Sequence, residues 1–273
     1  MMHSPCGRGH DYLSLTFAPS HSLSLPLATL STHIPYLQYL LMQLARDPPL
    51  QQRVRLEADA IYRGLEREGR ALAFHDLPRF ELLTRCIAET LRLWNVASVV
   101  FPRVTSFDDE LAGTSGCEDP VPVAEGTKFT FWFYGHHHSK DLWGDDVYDF
   151  NPDREWEPRE LQLADSSSGA SSGGCPAGGG TGLTPCSRRF HPFSVPTRDC
   201  LGKGFAMTEM RVLMPRILRA FRLEIPAGSE LASASPTADN DVFANWSRHV
   251  PGPTTQPHEM WLRAVPVPPA SRL

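Results

Sequence analysis

The stretch best equipped for chemistry is Phe193-Ser-Val-Pro196-Thr-Arg198-Asp-Cys200-Leu-Gly202. A lone cysteine ends a run of turn formers and stands directly before a helical pattern. Free amide N–H groups and the positive end of a helix dipole favour a thiolate at such a position. A thiolate there serves as a nucleophile or as a metal ligand. Gly202 lets a flat group approach the backbone closely. Arg198 has the fork to bind a carboxylate at the same edge. Upstream stand Glu89 and Arg92, three residues apart, and Arg154 in Phe150-Asn-Pro152-Asp-Arg154. Taken alone, Glu89 and Arg92 read as a helical surface pair contributing about 0.2–0.5 kcal/mol.

The elements that must position these groups follow from periodicity. Leu37, Leu40, Leu41 and Leu44 form one apolar helical stripe beginning near Tyr36, and Pro48-Pro49 stops it. A second helix spans Leu50 to Glu68 and ends at Gly69, a C-cap signal. A third runs from about Pro78 to Trp94, with Leu82, Leu83, Cys86, Ile87, Thr90 and Leu91 on its buried face. Val99–Thr105 and Lys128–Tyr134 are rich in β-branched and aromatic residues and read as strands. A helix over Leu201–Phe221, kinked at Pro215, follows the cysteine, and Met260–Val265 reads as a last strand. Residues 1–27 read as irregular. The Ser/Gly-rich stretch 165–187 reads as a flexible insert.

Composition excludes several classes. The 273 residues give a prior of one or two domains at about 150 residues each. Lys+Arg is 26 and Asp+Glu is 31, a net charge of −5, which argues against a strongly basic nucleic-acid binder. A 41% hydrophobic content supports a real core. The six cysteines, Cys6, Cys86, Cys117, Cys175, Cys186 and Cys200, form no CxxC pair, so neither a zinc knuckle nor a disulfide scaffold is indicated. No run reaches the roughly 18 apolar residues of a membrane span. The start also lacks the pattern of a signal peptide. His136-His137-His138 reads as a solvated loop rather than a metal site, because successive residues of an extended segment alternate sides.

The cysteine stretch resembles the haem-binding loop of the cytochrome P450 monooxygenases, Phe-x-x-Gly-x-Arg-x-Cys-x-Gly. Phe193, Arg198, Cys200 and Gly202 match in register, and Pro196 stands where the family has glycine. Glu89-Thr-Leu-Arg92 matches the family's Glu-x-x-Arg helix, and Phe150–Arg154 its Phe-x-Pro-x-Arg segment. Arg103 matches a position that often contacts a haem propionate, and His137 a histidine that commonly precedes the Phe-x-Pro-x-Arg segment. Ala28-Thr-Leu-Ser31-Thr32 aligns with the oxygen-activating helix, with Thr29 for glycine and Ser31 for the acid. Thr32 before Pro35 reads equally well as an ordinary helix N-cap.

The resemblance implies a mainly α fold with a small β-sheet, corresponding to the C-terminal half of the P450 fold. It covers about residues 28–265 and begins at the oxygen-activating helix, so a partial P450 domain over 28–273 is expected. It implies haem (iron protoporphyrin) with Cys200 thiolate as axial ligand, and Arg103, Phe193, Arg198 and Gly202 around it. Thr32 would deliver protons, and Glu89, Arg92 and Arg154 would brace the loop. The implied reaction inserts one oxygen atom from O2 into a small apolar substrate, with electrons from an NADPH-dependent reductase. Lys140-Asp-Leu-Trp-Gly144 resembles fungal members, which suggests secondary metabolism or hydrocarbon oxidation. The alternatives are a truncated, catalytically impaired relative with weak or no haem binding, and an unrelated zinc or structural protein. Localisation stays open between the cytoplasm and the periphery of the endoplasmic reticulum.

Overall fold

Helix α3, Glu81–Leu93, is the centre around which the chain is arranged in the computed structural model. Residues 12–14, 26–96, 102–112, 119–157, 160–161, 187–194, 200–229, 247–249, 255–257 and 261–268 are described; for 12–14, 26–33, 247–249 and 255–257 this concerns the backbone alone. Eleven of the thirteen residues of α3 are buried, Thr84, Glu89, Thr90 and Arg92 among them. A helix buried on nearly all sides needs its polar groups satisfied inside the protein. Thr84 and Thr90 donate to carbonyls one turn back, Phe80 O and Cys86 O, at 2.6 and 2.8 Å.

Helices α1 (Pro26–Arg46) and α2 (Pro48–Arg67) precede it, with a 3-10 turn at Phe74–Arg79 between α2 and α3. Asp47 separates α1 from α2 and caps α2, accepting from Leu50 N–H at 2.9 Å, with proline at the first turn where no donor is needed. Glu57 of α2 accepts from Leu82 and Leu83 N–H at 2.6 and 3.0 Å, so α2 caps the start of α3. Tyr39, Leu40 and Leu44 of α1, Val54 and Leu65 of α2 and Leu83, Ile87 and Leu91 of α3 share one core. Helix α6, Lys203–Ala220, packs on α2 and adds Met207, Met210, Met214 and Leu218. Its end is held by Arg55, which donates to Leu218 O and Phe221 O at 2.6 and 3.0 Å.

Among the described residues, four small antiparallel sheets complete the fold. Strand β1 (Tyr12–Ser14), β9 (Trp261–Pro266) and β6 (Phe221–Glu224) form one, in the order β1-β9-β6. Leu13 faces Leu262 and Leu223 faces Ala264 in its register. β2 (Arg103–Val104) pairs with β5 (Lys128–Phe129), β3 (Asp109–Leu111) with β4 (Val121–Val123), and β7 (Ser247–His249) with β8 (Thr255–Pro257). The short helices α4 (Phe133–His137) and α5 (Lys140–Trp143) follow β5. The architecture is mainly α with small sheets.

Several expectations change. The first helix starts at Pro26, not near Tyr36, and runs through Pro35. Thr32 therefore lies inside α1 and is not its N-cap. Pro35 removes one helical hydrogen bond, and the buried packing of Tyr36, Tyr39 and Leu40 outweighs that local cost. Within 1–27, expected to be irregular, Tyr12–Ser14 is a strand. The strand expected over 128–134 stops at Phe129, and Phe133 begins α4.

Candidate active site: a buried ion cluster behind an exposed cysteine

Glu89 and Arg92 project from one side of α3, and neither side chain has any solvent exposure. Arg92 grips the carboxylate with both prongs, Nε to Oε2 at 2.9 Å and Nη2 to Oε1 at 2.8 Å. Arg154 reaches the same carboxylate from the loop after α5, with Nε 3.0 and 3.1 Å from its two oxygens. Asn151 N–H donates to Oε1 at 3.1 Å. The remaining Arg92 hydrogens go to His137 O, Val147 O and Asp149 O at 3.0, 2.7 and 3.3 Å. A buried charge is tolerable only when paired and fully hydrogen-bonded. Here one carboxylate joins α3 to the segment 137–154, and Asp146, at 3.4 Å from Arg154, offsets the second guanidinium.

Trp143 lies within this cluster. The Arg92, Arg154 and Arg189 guanidinium carbons stand 5.1, 5.7 and 4.3 Å from its ring centroid. Beside it, His137 is fully buried and His138 nearly so, on and just after α4. The expected solvated loop is thus corrected: a helical turn carries these rings inward. Burial, with the Arg92 guanidinium adding to it, holds the His137 imidazole neutral, well below the usual histidine range. Its Nε2 accepts from His191 N–H at 2.9 Å. Nδ1 lies 3.5 Å from Asn95 Nδ2.

That bond reaches the cysteine loop. Phe190 is fully buried against Trp143, Trp156 and His137. Ser194 adopts φ +71, a left-handed conformation uncommon outside glycine. Cys200 N–H donates to Phe193 O at 2.9 Å and closes the loop at its neck. Cys200 is exposed, and α6 begins three residues later with Gly202 as N-cap. Leu201 is fully open to solvent and Phe205 is 64% exposed. A Cβ at Gly202 would lie 3.8 Å from Cys200 Sγ, so glycine there leaves space beside the sulfur.

Of the expected site residues, Glu89, Arg92 and Arg154 meet, and Phe193, Cys200 and Gly202 form the ends of one loop. Arg198 and Pro196 lie outside the described residues. Thr32 is on the second turn of α1, with only its backbone described. Arg103, on β2, is half-exposed and makes no ion pair among the described residues. The sequence reading missed Glu160, Ser187, Arg189 and Trp143. Ser187, placed in the insert by composition, is buried and donates to Glu160 at 3.0 Å. Local sequence carries no signal for such a pair, because its partners stand on either side of the Ser/Gly-rich stretch.

The family model for cytochrome P450 matches residues 21–242. This chain belongs to the cytochrome P450 family. It is similar to cytochrome P450 52A3-A of Candida maltosa, 27% identical over 203 residues, which is 73% of this chain and 34% of the relative. It is also similar to leukotriene-B4 omega-hydroxylase 3 of Mus musculus, 33% identical over 68% of this chain and 30% of the relative. Taurochenodeoxycholic 6 alpha-hydroxylase of Sus scrofa is 29% identical over 187 residues. The P450 chain thus spans about a third of the length of the curated relatives it matches.

Membership in the P450 family implies haem bound through a cysteine thiolate, and the donor set fits. Among the described residues no group of three or more His, Cys, Asp or Glu can enclose a metal ion. A single exposed sulfur does not complete a metal's coordination by itself. It suits an iron that brings its in-plane ligands with it, as haem does. The apolar surroundings at Leu201, Phe205 and Phe193, and the space beside Gly202, suit a flat ring system. No helix among the described residues is long and apolar enough to cross a membrane.

Proposed function

We propose that this chain forms the cysteine-bearing part of a haem-thiolate monooxygenase. The observation that carries this reading is the placement of Cys200: exposed, at the entrance of α6, in a loop whose neck is closed by its own N–H. Cys200 thiolate would hold the haem iron, and Arg198 and Arg103 would bind the haem propionates. Phe193 and Gly202 shape the space on the sulfur's side. Glu89, Arg92 and Arg154 keep the loop's support rigid, and Thr32 would pass protons into the site. Bound haem supplies the oxygen chemistry, with the thiolate's electron density favouring O–O cleavage. In the overall reaction one oxygen atom enters the substrate and the other leaves as water, with two electrons from an NADPH-dependent reductase and two protons.

The relatives support an apolar organic substrate and a hydroxylation, since two of them are named as hydroxylases. The Candida maltosa relative supports the fungal comparison made from Lys140–Gly144. A second reading, an impaired chain with weak or no haem binding, is favoured by Pro196 in place of the loop glycine.

Haem reconstitution of the purified chain, followed by reduction under carbon monoxide, separates the two. A red-shifted, thiolate-type Soret band that disappears in Cys200→Ala supports the monooxygenase reading. No haem uptake, or a band of the non-thiolate type in the unmodified chain, replaces it with the impaired reading.

A further inference from the structure

Glu160 has no solvent exposure, yet no part of the family pattern accounts for it. Arg189 holds it with both prongs, Nε to Oε1 at 2.8 Å and Nη2 to Oε2 at 3.0 Å. Ser187 Oγ donates to Oε1 at 3.0 Å and Glu157 N–H to Oε2 at 2.9 Å, which completes the carboxylate's shell. The rest of Arg189 is equally committed. It donates to Leu142 O at 3.3 Å and Glu155 O at 2.8 Å, and its guanidinium lies over Trp143. That same indole ring carries Arg92 and Arg154 of the Glu89 cluster.

We propose that Arg189, gripped by Glu160 and stacked on Trp143, is a positioning residue that sets the base of the Cys200 loop. The path is short and continuous. Phe190, the next residue, fills the pocket between Trp143, Trp156 and His137. His191 N–H is fixed by His137 Nε2, and Phe193 O receives Cys200 N–H. Ser187, Arg189, Phe190 and His191 are thus each tied to a buried partner. The planar fork matters: it makes two parallel bonds to the carboxylate while its face lies on the indole, which an ammonium group cannot reproduce. Arg189 acts through Phe190 and His191 and touches no reacting atom.

This inference rests on the haem-thiolate reading of Cys200, and its test separates the two. Arg189→Gln and Arg189→Lys are made in the full chain. Amide exchange without haem is followed in the 187–194 segment and in α2, and the reduced carbon monoxide spectrum is taken with haem. In Arg189→Gln, exchange over 187–194 rises at least about tenfold while α2 stays protected. The thiolate-type band gives way in part to the non-thiolate type, and Arg189→Lys falls between. Unchanged exchange over 187–194, or an equal rise in α2, overturns the proposal. If Arg189→Gln fails to fold, the same comparison in Arg189→Lys decides. If the unmodified chain takes up no haem, the haem-thiolate reading fails, and the exchange measurement still decides the role of Arg189.

Discussion

Glu89 shows how unequal two ion pairs of similar length can be. Its 2.8 Å contact with Arg92 is sealed from water, whereas Arg53–Asp153, at 2.7 Å, is about half exposed on each side. Neutralising Glu89 leaves the buried Arg92 without a carboxylate partner and Arg154 with Asp146 alone. Glu89→Gln is expected to cost about 3–5 kcal/mol, and Asp153→Asn less than about 1 kcal/mol. Urea midpoints of the two variants measure this. A Glu89→Gln loss no larger than that of Asp153→Asn would show that the cluster does not hold the fold. Glu89, Arg92 and Arg154 were legible in sequence because a motif fixes their spacing. Arg189 and Glu160 were not, because each looks locally like any polar surface residue.

The helices differ in how plainly they were written. α2, α3 and α6 lie within a few residues of their expected bounds, because each carries an unbroken apolar stripe over several turns. α1 is obscured by Pro35 and by the serines and threonines before it. The start of α3 lacks a capping side chain of its own, since Phe80 is the N-cap and the cap comes from Glu57 on another helix. α4 was hidden because aromatic residues suit strands locally, and only burial of His137 and Phe133 selects the helix. This element also sets a pH dependence. Burial pushes His138 down to about 4 and lowers His137 and His191, from an ordinary value of 6.5. Below that ordinary value the unfolded chain binds protons that the folded chain refuses. Stability is therefore complete above about pH 6.5 and falls as the pH drops towards 4, with His138 contributing at most about 3 kcal/mol. Urea midpoints at pH 7.5 and pH 5 show the fall, and His138→Gln flattens it. Equal midpoints at the two pH values would contradict the assignment.

At the scale of the whole molecule, the contact between Ser187 and Glu160 brings together the two ends of the segment 162–186. Replacing that segment with a Gly/Ser linker about four times shorter is expected to leave the fold intact. It should raise stability by about 1 kcal/mol through a smaller loop-closure entropy. A thermal melt of the shortened chain tests this, and a lowered midpoint would mean that the segment contributes packing of its own. Composition marks 165–187 as an insert; residues 165–186 lie outside the described residues, and Ser187, which shares the insert's residue type, is set apart by its buried hydroxyl.

The sheet β1-β9-β6 has a temporal consequence. Its central strand, Trp261–Pro266, follows both of its neighbours in sequence, Tyr12–Ser14 and Phe221–Glu224. Neither neighbour pairs with the other, so both edges wait for the central strand. During synthesis the helices can collapse as they emerge, but this sheet assembles only once Trp261–Pro266 has left the ribosome. Folding of this sheet therefore trails that of the helices, because its middle strand is made after both of its edges.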